Sequence, residues 1–171
     1  MNEFALPNNY DQQDSDLYIN VAFDDLMTAA LTEAKKATEH GDVPVGALVF
    51  RKGEIISLSH NRREVDNDPT AHAEILALRE AAYKLKTWHL VDCTMIVTLE
   101  PCLMCAGALS LARIDTLVYG TPDYKFGACG TLYNVTCDPR INHRINVISG
   151  IMAEECSQTI SDFFADIRSP S

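Results

Sequence analysis

Short β-prone segments alternate with segments of helical spacing along most of this sequence, and no other feature restricts its fold as strongly. Apolar runs of strand length occupy residues 45–50, 54–59, 95–99, 116–119 and 145–148. Apolar side chains recur at helical intervals over residues 23–34, 71–86, 101–113 and 153–167. Such alternation is typical of α/β proteins, in which helices pack on a central sheet. We therefore expect an α/β layered sheet.

Glycine and proline mark the ends of several of these elements. The Lys52-Gly53 dipeptide between two apolar runs predicts a β-hairpin, and Gly41 is a plausible end for the first helix. Pro101 suits the opening turn of the third helix, because its missing N–H would have no partner there. Polar or loop-rich connections are expected over residues 61–70 and 120–144.

Length and composition predict one domain with an acidic extension. A chain of 171 residues, 47% of them apolar, has the size and the material for a single hydrophobic core. The first twenty residues contain four acidic residues and no lysine or arginine. We expect residues 1–20 to form a flexible extension and residues 21–171 to form the domain.

Net charge and targeting signals limit the partners and the compartment. With 24 acidic and 14 basic residues the formal charge is −10, which repels polyanions at long range. The first residues lack the features of a secretory signal, and no run approaches the roughly 18 apolar residues that cross a bilayer. We expect a cytoplasmic protein without a membrane partner, in which the cysteines stay reduced.

Two short motifs carry the chemistry. Ala71-His72-Ala73-Glu74 opens the second helix, and Pro101-Cys102-Leu103-Met104-Cys105 opens the third. Side chains at two adjacent helix N-termini can project toward one point. His72, Cys102 and Cys105 then form a familiar three-ligand set for zinc, which leaves the fourth tetrahedral position for water. The two motifs therefore predict a catalytic Zn²⁺ site, with one ion per subunit.

Glu74 is predicted to carry protons rather than to bind the metal. It lies two residues after His72, which places it on a different face of a helix. A carboxyl group beside an activated water can deliver a proton first to a ring nitrogen and then to a departing amine. General acid–base help of this kind is worth roughly 10² to 10⁴ in rate.

His-x-Glu followed by Pro-Cys-x-x-Cys is the signature of zinc-dependent nucleobase deaminases. The longer strings around both motifs, together with Asn142-His143-Arg144 and Ser161-Asp162-Phe163-Phe164, resemble bacterial tRNA adenosine deaminases over residues 22–168. The resemblance implies a three-layer α/β/α cytidine-deaminase-like fold around a mixed sheet of about five strands. It also implies a homodimer that binds the tRNA anticodon stem-loop and hydrolyses the wobble adenosine to inosine.

Matching positions extend the resemblance to substrate contacts. Asn61 matches the family's asparagine that hydrogen-bonds the extruded base, whereas Val45 and Ala73 match the pocket wall. Asp123, His143 and Arg144 lie in loops that touch the anticodon nucleotides in the family. Basic residues close to these loops would compensate locally for the net negative charge; they are Arg62, Arg63, Lys125, Arg140 and Arg144.

Competing interpretations remain open at this point. A deaminase of a free base such as guanine or cytosine would use the same zinc site and the same glutamate. A protein with a structural zinc or a redox Cys-x-x-Cys would use only some of these His, Cys and Glu residues. Asn61 could instead form a turn, and Asp123 could lie in an ordinary solvated loop.

Overall fold

The computed structural model describes the backbone of residues 12–168 and the side chains of residues 23–168. The part of the predicted acidic extension before residue 12 lies outside the described residues. Helix α1 spans Gln12–Ala34 and so begins within the predicted extension. The sequence from Gln12 to Asn20 contains no glycine or proline to end the helix.

The elements follow one another in the predicted alternation. After α1 come a 3₁₀ turn (Lys35–His40), β1 (Gly46–Arg51), β2 (Glu54–His60), α2 (Arg63–Asp66), α3 (Ala73–Leu85), β3 (Thr94–Leu99), α4 (Leu103–Leu111), β4 (Thr116–Thr121), a second 3₁₀ turn (Val135–Cys137), β5 (Asn146–Ser149) and α5 (Ala153–Arg168). The polar connection predicted over residues 61–70 thus contains the short helix α2. The connection predicted over 120–144 contains the second 3₁₀ turn.

The five strands form one mixed sheet in the order β2-β1-β3-β4-β5. Strand β1 pairs antiparallel with β2, as the predicted hairpin requires, and also antiparallel with β3. Strands β3, β4 and β5 run parallel, so helix α4 forms the crossover between β3 and β4. The expected mixed sheet of five strands is therefore confirmed.

Helices cover both faces of this sheet. On one face α3 and α4 bury residues such as Ala77 and Leu109 against Val97 of β3. On the other face α1 and α5 bury residues such as Met27 and Cys156 against Ile96, the neighbour of Val97. Alternate residues of a strand point to opposite faces, which explains why one short strand supports two cores. The α/β/α layers are confirmed.

Pro101 lies just before helix α4 and not in its first turn. Cys102 is the N-cap, with extended backbone angles (φ −73°, ψ 175°), and its carbonyl accepts the first helical hydrogen bond from the Ala106 amide. The Pro101 carbonyl instead accepts a hydrogen bond from the Ala128 amide at 2.9 Å. The prediction that Pro101 lies in the opening turn of the helix was therefore wrong. The hydrogen bond from the distant Ala128 amide holds the Pro101 carbonyl outside the helix.

Within the residues that the structure describes, none of the helices is both long enough and apolar enough to span a bilayer.

Candidate metal centre and active site

One imidazole and two thiol groups converge where α3 and α4 begin. The Nδ1 atom of His72 lies 3.8 Å from the Cys102 sulfur and 3.6 Å from the Cys105 sulfur. Tetrahedral zinc with ordinary Zn–N and Zn–S bond lengths places such atoms roughly 3.6 Å apart. Among the described residues, these three form the one group of His, Cys, Asp or Glu ligand atoms that lie close enough together to hold a metal ion.

Two helix starts place these ligands. His72 and Cys102 are the N-cap residues of α3 and α4, and both have extended backbone angles that turn their side chains away from the helix axis. Cys105 follows three residues later, on the same side of α4 as Cys102, and is fully buried. The positive ends of both helix dipoles therefore face the cluster and favour thiolate charge.

Hydrogen bonds within this group shift the pKa values of all three side chains. The Cys105 thiol hydrogen-bonds to Cys102 and lowers the pKa of Cys102 to about 4; burial opposes this effect and His72 adds to it. The pKa of Cys105 is correspondingly raised, first by its hydrogen bond to Cys102 and then by burial. The hydrogen bond with Cys102 also raises the pKa of His72. Binding of a cation to all three groups must therefore release protons.

Glu74 lies in the first turn of α3, beside the metal group but outside it. Its side chain is almost completely buried, and this burial raises the pKa of its carboxyl group. It also makes a side-chain hydrogen bond with Cys105. The structure thus brings Glu74 next to the cluster without adding it to the ligand set, in the arrangement expected of a proton carrier.

Asn61 supports the start of helix α3. Its Oδ1 accepts a hydrogen bond from the Ala73 amide at 2.9 Å, and its Nδ2 donates to the Val43 carbonyl at 3.1 Å. Asn61, Val45 and Ala73 are all buried; the Asn61 backbone amide donates to the Val45 carbonyl at 3.1 Å, and Ala73 follows His72 in the chain. The structure therefore brings these three predicted pocket residues together at the start of α3, where the Asn61 side chain joins the segments of Val43 and Ala73.

The predicted RNA contacts lie in two separate places. The Asp123 carboxylate accepts hydrogen bonds from the Lys125 and Phe126 amides at 2.8 and 3.2 Å, which forms a local turn. The His143 ring donates from Nε2 to the Ile114 carbonyl at 2.7 Å, after the end of α4. This contact places His143 beside the C-terminal end of α4, whereas the metal group lies where α4 begins.

Some of the predicted basic residues are already paired. Arg62 contacts Asp66 at 2.7 Å and Arg140 contacts Asp138 at 2.6 Å. Arg144 is exposed on the loop after His143. These acidic partners reduce the positive charge that Arg62 and Arg140 offer to a polyanion.

The sequence analysis missed Glu100, which is buried at the end of β3. Its carboxylate accepts hydrogen bonds from the Cys129 and Thr131 amides at 2.9 and 3.0 Å and from the Asp123 amide at 3.1 Å. The available signal was an acidic residue that directly follows an apolar strand and precedes Pro-Cys. Acidic residues are rarely buried unless their oxygens are satisfied.

Known proteins share both the sequence and the fold of this chain. A profile of MafB19-like deaminases matches residues 22–168. The tRNA-specific adenosine deaminase of Bacillus subtilis (strain 168) is 48% identical over 142 residues, which cover 83% of this chain and 88% of the relative. A structure from a study of A-to-I editing by tRNA:A34 deaminases is 41% identical with a TM-score of 0.75, covering 78% of this chain and 96% of that one.

A guanine deaminase structure from Bacillus subtilis is less similar. It is 28% identical with a TM-score of 0.51, and the match covers 83% of this chain and 74% of that one. The layered fold, the His-Cys-Cys group and the profile match define the chain as an enzyme of the deaminase class. Its similarity to the Bacillus subtilis relative is more specific: the chain belongs to the family of tRNA-specific adenosine deaminases.

Proposed function

We propose that this enzyme hydrolyses adenosine to inosine at the wobble position of tRNA. The observation that carries the proposal is the buried Glu74 carboxyl beside His72, Cys102 and Cys105, in a chain whose relatives are named tRNA-specific adenosine deaminases. Membership in a family of enzymes argues against the alternative of a structural-zinc or redox protein.

His72, Cys102 and Cys105 would hold the metal, and zinc is the ion that this donor set favours. When bound, zinc supplies the Lewis acidity that makes a water molecule nucleophilic near neutral pH. The two cysteine ligands would then be thiolates without a proton, and His72 would use Nδ1, the ring nitrogen that faces the two sulfurs, for the metal. Proton transfer is left to Glu74, the buried carboxyl group beside them.

Glu74 would move two protons during one turnover. It accepts a proton from the attacking water and delivers it to N1 of adenine, and it later assists the transfer of a proton to the departing amine. The C6–N bond breaks, a C6–O bond replaces it, and ammonia leaves. Burial raises the pKa of the Glu74 carboxyl group above its ordinary value, which favours the donating as well as the accepting role.

The buried residues beside the ligands would receive the base. Asn61 still has a second lone pair on Oδ1 and a second hydrogen on Nδ2 after its two backbone contacts, so it can also bind the base edge. Val45 and Ala73 would line the pocket. Asp123, His143 and Arg144 would contact the anticodon loop, from which the adenosine must be extruded to reach the metal.

The proposal includes a homodimer in the cytoplasm, where tRNA is available. Two large apolar side chains are exposed on the single chain and suit the interface of such a dimer: Trp88 is 64% and Leu111 is 75% exposed.

Incubation with an anticodon stem-loop that carries adenosine at the wobble position tests the function. Mass spectrometry of the digested RNA should show one inosine per stem-loop and an equal amount of ammonia, and no product from free guanine or cytosine. A stem-loop with guanosine at that position is the matched control. Conversion of free guanine without conversion of the RNA would support the second candidate, which the similarity to guanine deaminase favours.

Arg144→Glu is expected to weaken RNA binding and to reduce its salt dependence. Each lost phosphate contact lowers the slope of log affinity against log salt by roughly one. Arg144 is exposed beside His143, and Arg168→Glu at the end of α5 makes the same change of charge elsewhere. Fluorescence anisotropy over a salt series should separate the two variants, with zinc content unchanged in both. Equal slopes for Arg144→Glu and Arg168→Glu would refute the assignment of Arg144.

A further inference from the structure

A buried carboxylate holds a loop beside the metal group. The two oxygens of Glu100 accept hydrogen bonds from four donors in residues 121–131, hereafter the Glu100 loop: the amides of Asp123, Cys129 and Thr131 and the hydroxyl of Thr131. Glu100 is 2% exposed, and no basic side chain of residues 23–168 forms an ion pair with it. Loop donors alone therefore stabilise this buried carboxylate.

Gly127 allows the loop to close around Glu100. A Cβ atom at residue 127 would lie 2.4 Å from the Oε2 atom of Glu100 and 2.5 Å from the Asp123 carbonyl oxygen. Any larger residue would push the loop away from the carboxylate. Only glycine at residue 127 therefore lets the loop lie this close to Glu100.

The Glu100 loop is also joined to the metal-ligand segment. Gly127 forms a β-bridge with Cys102, and the Ala128 amide donates to the Pro101 carbonyl at 2.9 Å. Phe126 directly precedes Gly127, which pairs with the proposed zinc ligand Cys102. The outer part of the loop, residues 124–126, is therefore next in sequence to this pair. These contacts hold the loop against the segment that carries Cys102.

The outer part of the loop exposes two aromatic rings, and the residue between them in the sequence is a lysine. Tyr124 is 78% and Phe126 is 66% exposed, and Lys125 lies between them in the sequence. The Asp123 carboxylate holds the amides of Lys125 and Phe126 and so orders this turn. Exposed aromatic rings beside a positive charge match unpaired RNA, whose bases stack on aromatic side chains and whose phosphates attract lysine.

We propose that Tyr124 and Phe126 form a stacking platform for unpaired bases next to the target adenosine, and that Glu100 positions this platform. The inference rests on the proposed function and adds a binding surface to it. Tyr124 and Phe126 contact the RNA, whereas Glu100 acts only through the loop. Substitution of Tyr124, Phe126 or Glu100 should therefore raise KM for the stem-loop. The zinc content, and kcat at saturating RNA, should both stay close to the wild-type values.

Phe126→Leu and Phe126→Trp form the sharpest pair of variants. Leucine keeps apolar volume without an aromatic face, so KM should rise roughly 5- to 150-fold, the range for loss of one stacked base. Tryptophan keeps the aromatic face and should retain a KM near the wild-type value. Tyr83→Ala removes a ring that is 86% exposed on α3 and should change nothing. Unchanged KM in both Phe126→Leu and Tyr124→Ala would overturn the platform.

Glu100→Gln tests the positioning role. Glutamine keeps the shape of glutamate, but its NH₂ group is a donor and cannot accept the hydrogen bonds that the loop N–H groups donate. We expect a rise in KM, and adding Phe126→Leu to Glu100→Gln should cause little further rise. Full additivity of the two changes, or a lower kcat with unchanged KM, would refute the role. Thr131→Val removes only the hydroxyl donor and provides a milder test if Glu100→Gln does not fold. Wild-type enzyme that forms no inosine would instead contradict the proposed function itself.

Discussion

Replacing Glu74 with glutamine is expected to reduce inosine formation by roughly 10²- to 10⁴-fold while the folded chain keeps its zinc. The carboxamide has nearly the same shape as the protonated carboxyl group but cannot accept a proton and return it. Glu74 is buried and lies outside the ligand group, so neither packing nor metal binding should depend on its acidity. Single-turnover kinetics with excess enzyme measure the rate, and elemental analysis measures the zinc.

Glu80→Gln provides the matched control for this experiment. Glu80 lies on the same helix and pairs with Lys84 on its partly exposed surface. The same chemical change there should leave the single-turnover rate within about twofold, because surface ion pairs contribute little. If Glu74→Gln retained a rate within a factor of three of wild type, Glu74 would not carry the protons.

Replacing Cys105 with alanine is expected to remove both the metal and the activity. The cluster then offers only His72 and Cys102, and two ligands do not hold zinc as three do. Loss of a bound ion also destabilises the fold, by about 4 kcal/mol where free zinc exceeds its Kd a thousandfold. We expect zinc content well below one ion per chain and a lower midpoint of thermal unfolding.

Cys156→Ala separates this effect from the loss of a buried thiol. Cys156 is as buried as Cys105 but lies in the core on the opposite face of the sheet, and burial raises the pKa of its thiol to about 12. The variant should keep full zinc content and activity. A chelator added to the wild-type enzyme should reproduce the behaviour of Cys105→Ala. Stoichiometric zinc in Cys105→Ala would contradict the proposed ligand set.

Net charge gave an incomplete view of the RNA-binding surface. The charge of −10 argues against binding of a polyanion, and the structure further pairs Arg62 and Arg140 with acidic residues. Recognition that uses stacking on Tyr124 and Phe126 depends less on net charge, because a base has an aromatic face whatever the sign of the surrounding field. We therefore expect moderate salt dependence for this enzyme.

Features that depend on neighbouring residues were predictable from the sequence alone. The spacing of apolar residues located the five strands, the hairpin and the helices after each motif. The grouping of His72, Cys102 and Cys105 was also predictable, because these residues lie at or next to helix starts and belong to a known pair of motifs. The length of α1 was underestimated, because its acidic first half shows no apolar periodicity.

Features that depend on distant residues were decided only by the tertiary structure. The hydrogen bonds of Glu100 to Asp123, Cys129 and Thr131 join segments that share no periodic pattern. The position of His143 beside the end of α4 likewise follows from its contact with Ile114. Spacing along the chain determines which side chains share a face of one element, whereas long-range packing determines which loops meet. The pair Cys102 and Cys105 belongs to the first kind, whereas the approach of His72 to that pair and the loop around Glu100 belong to the second.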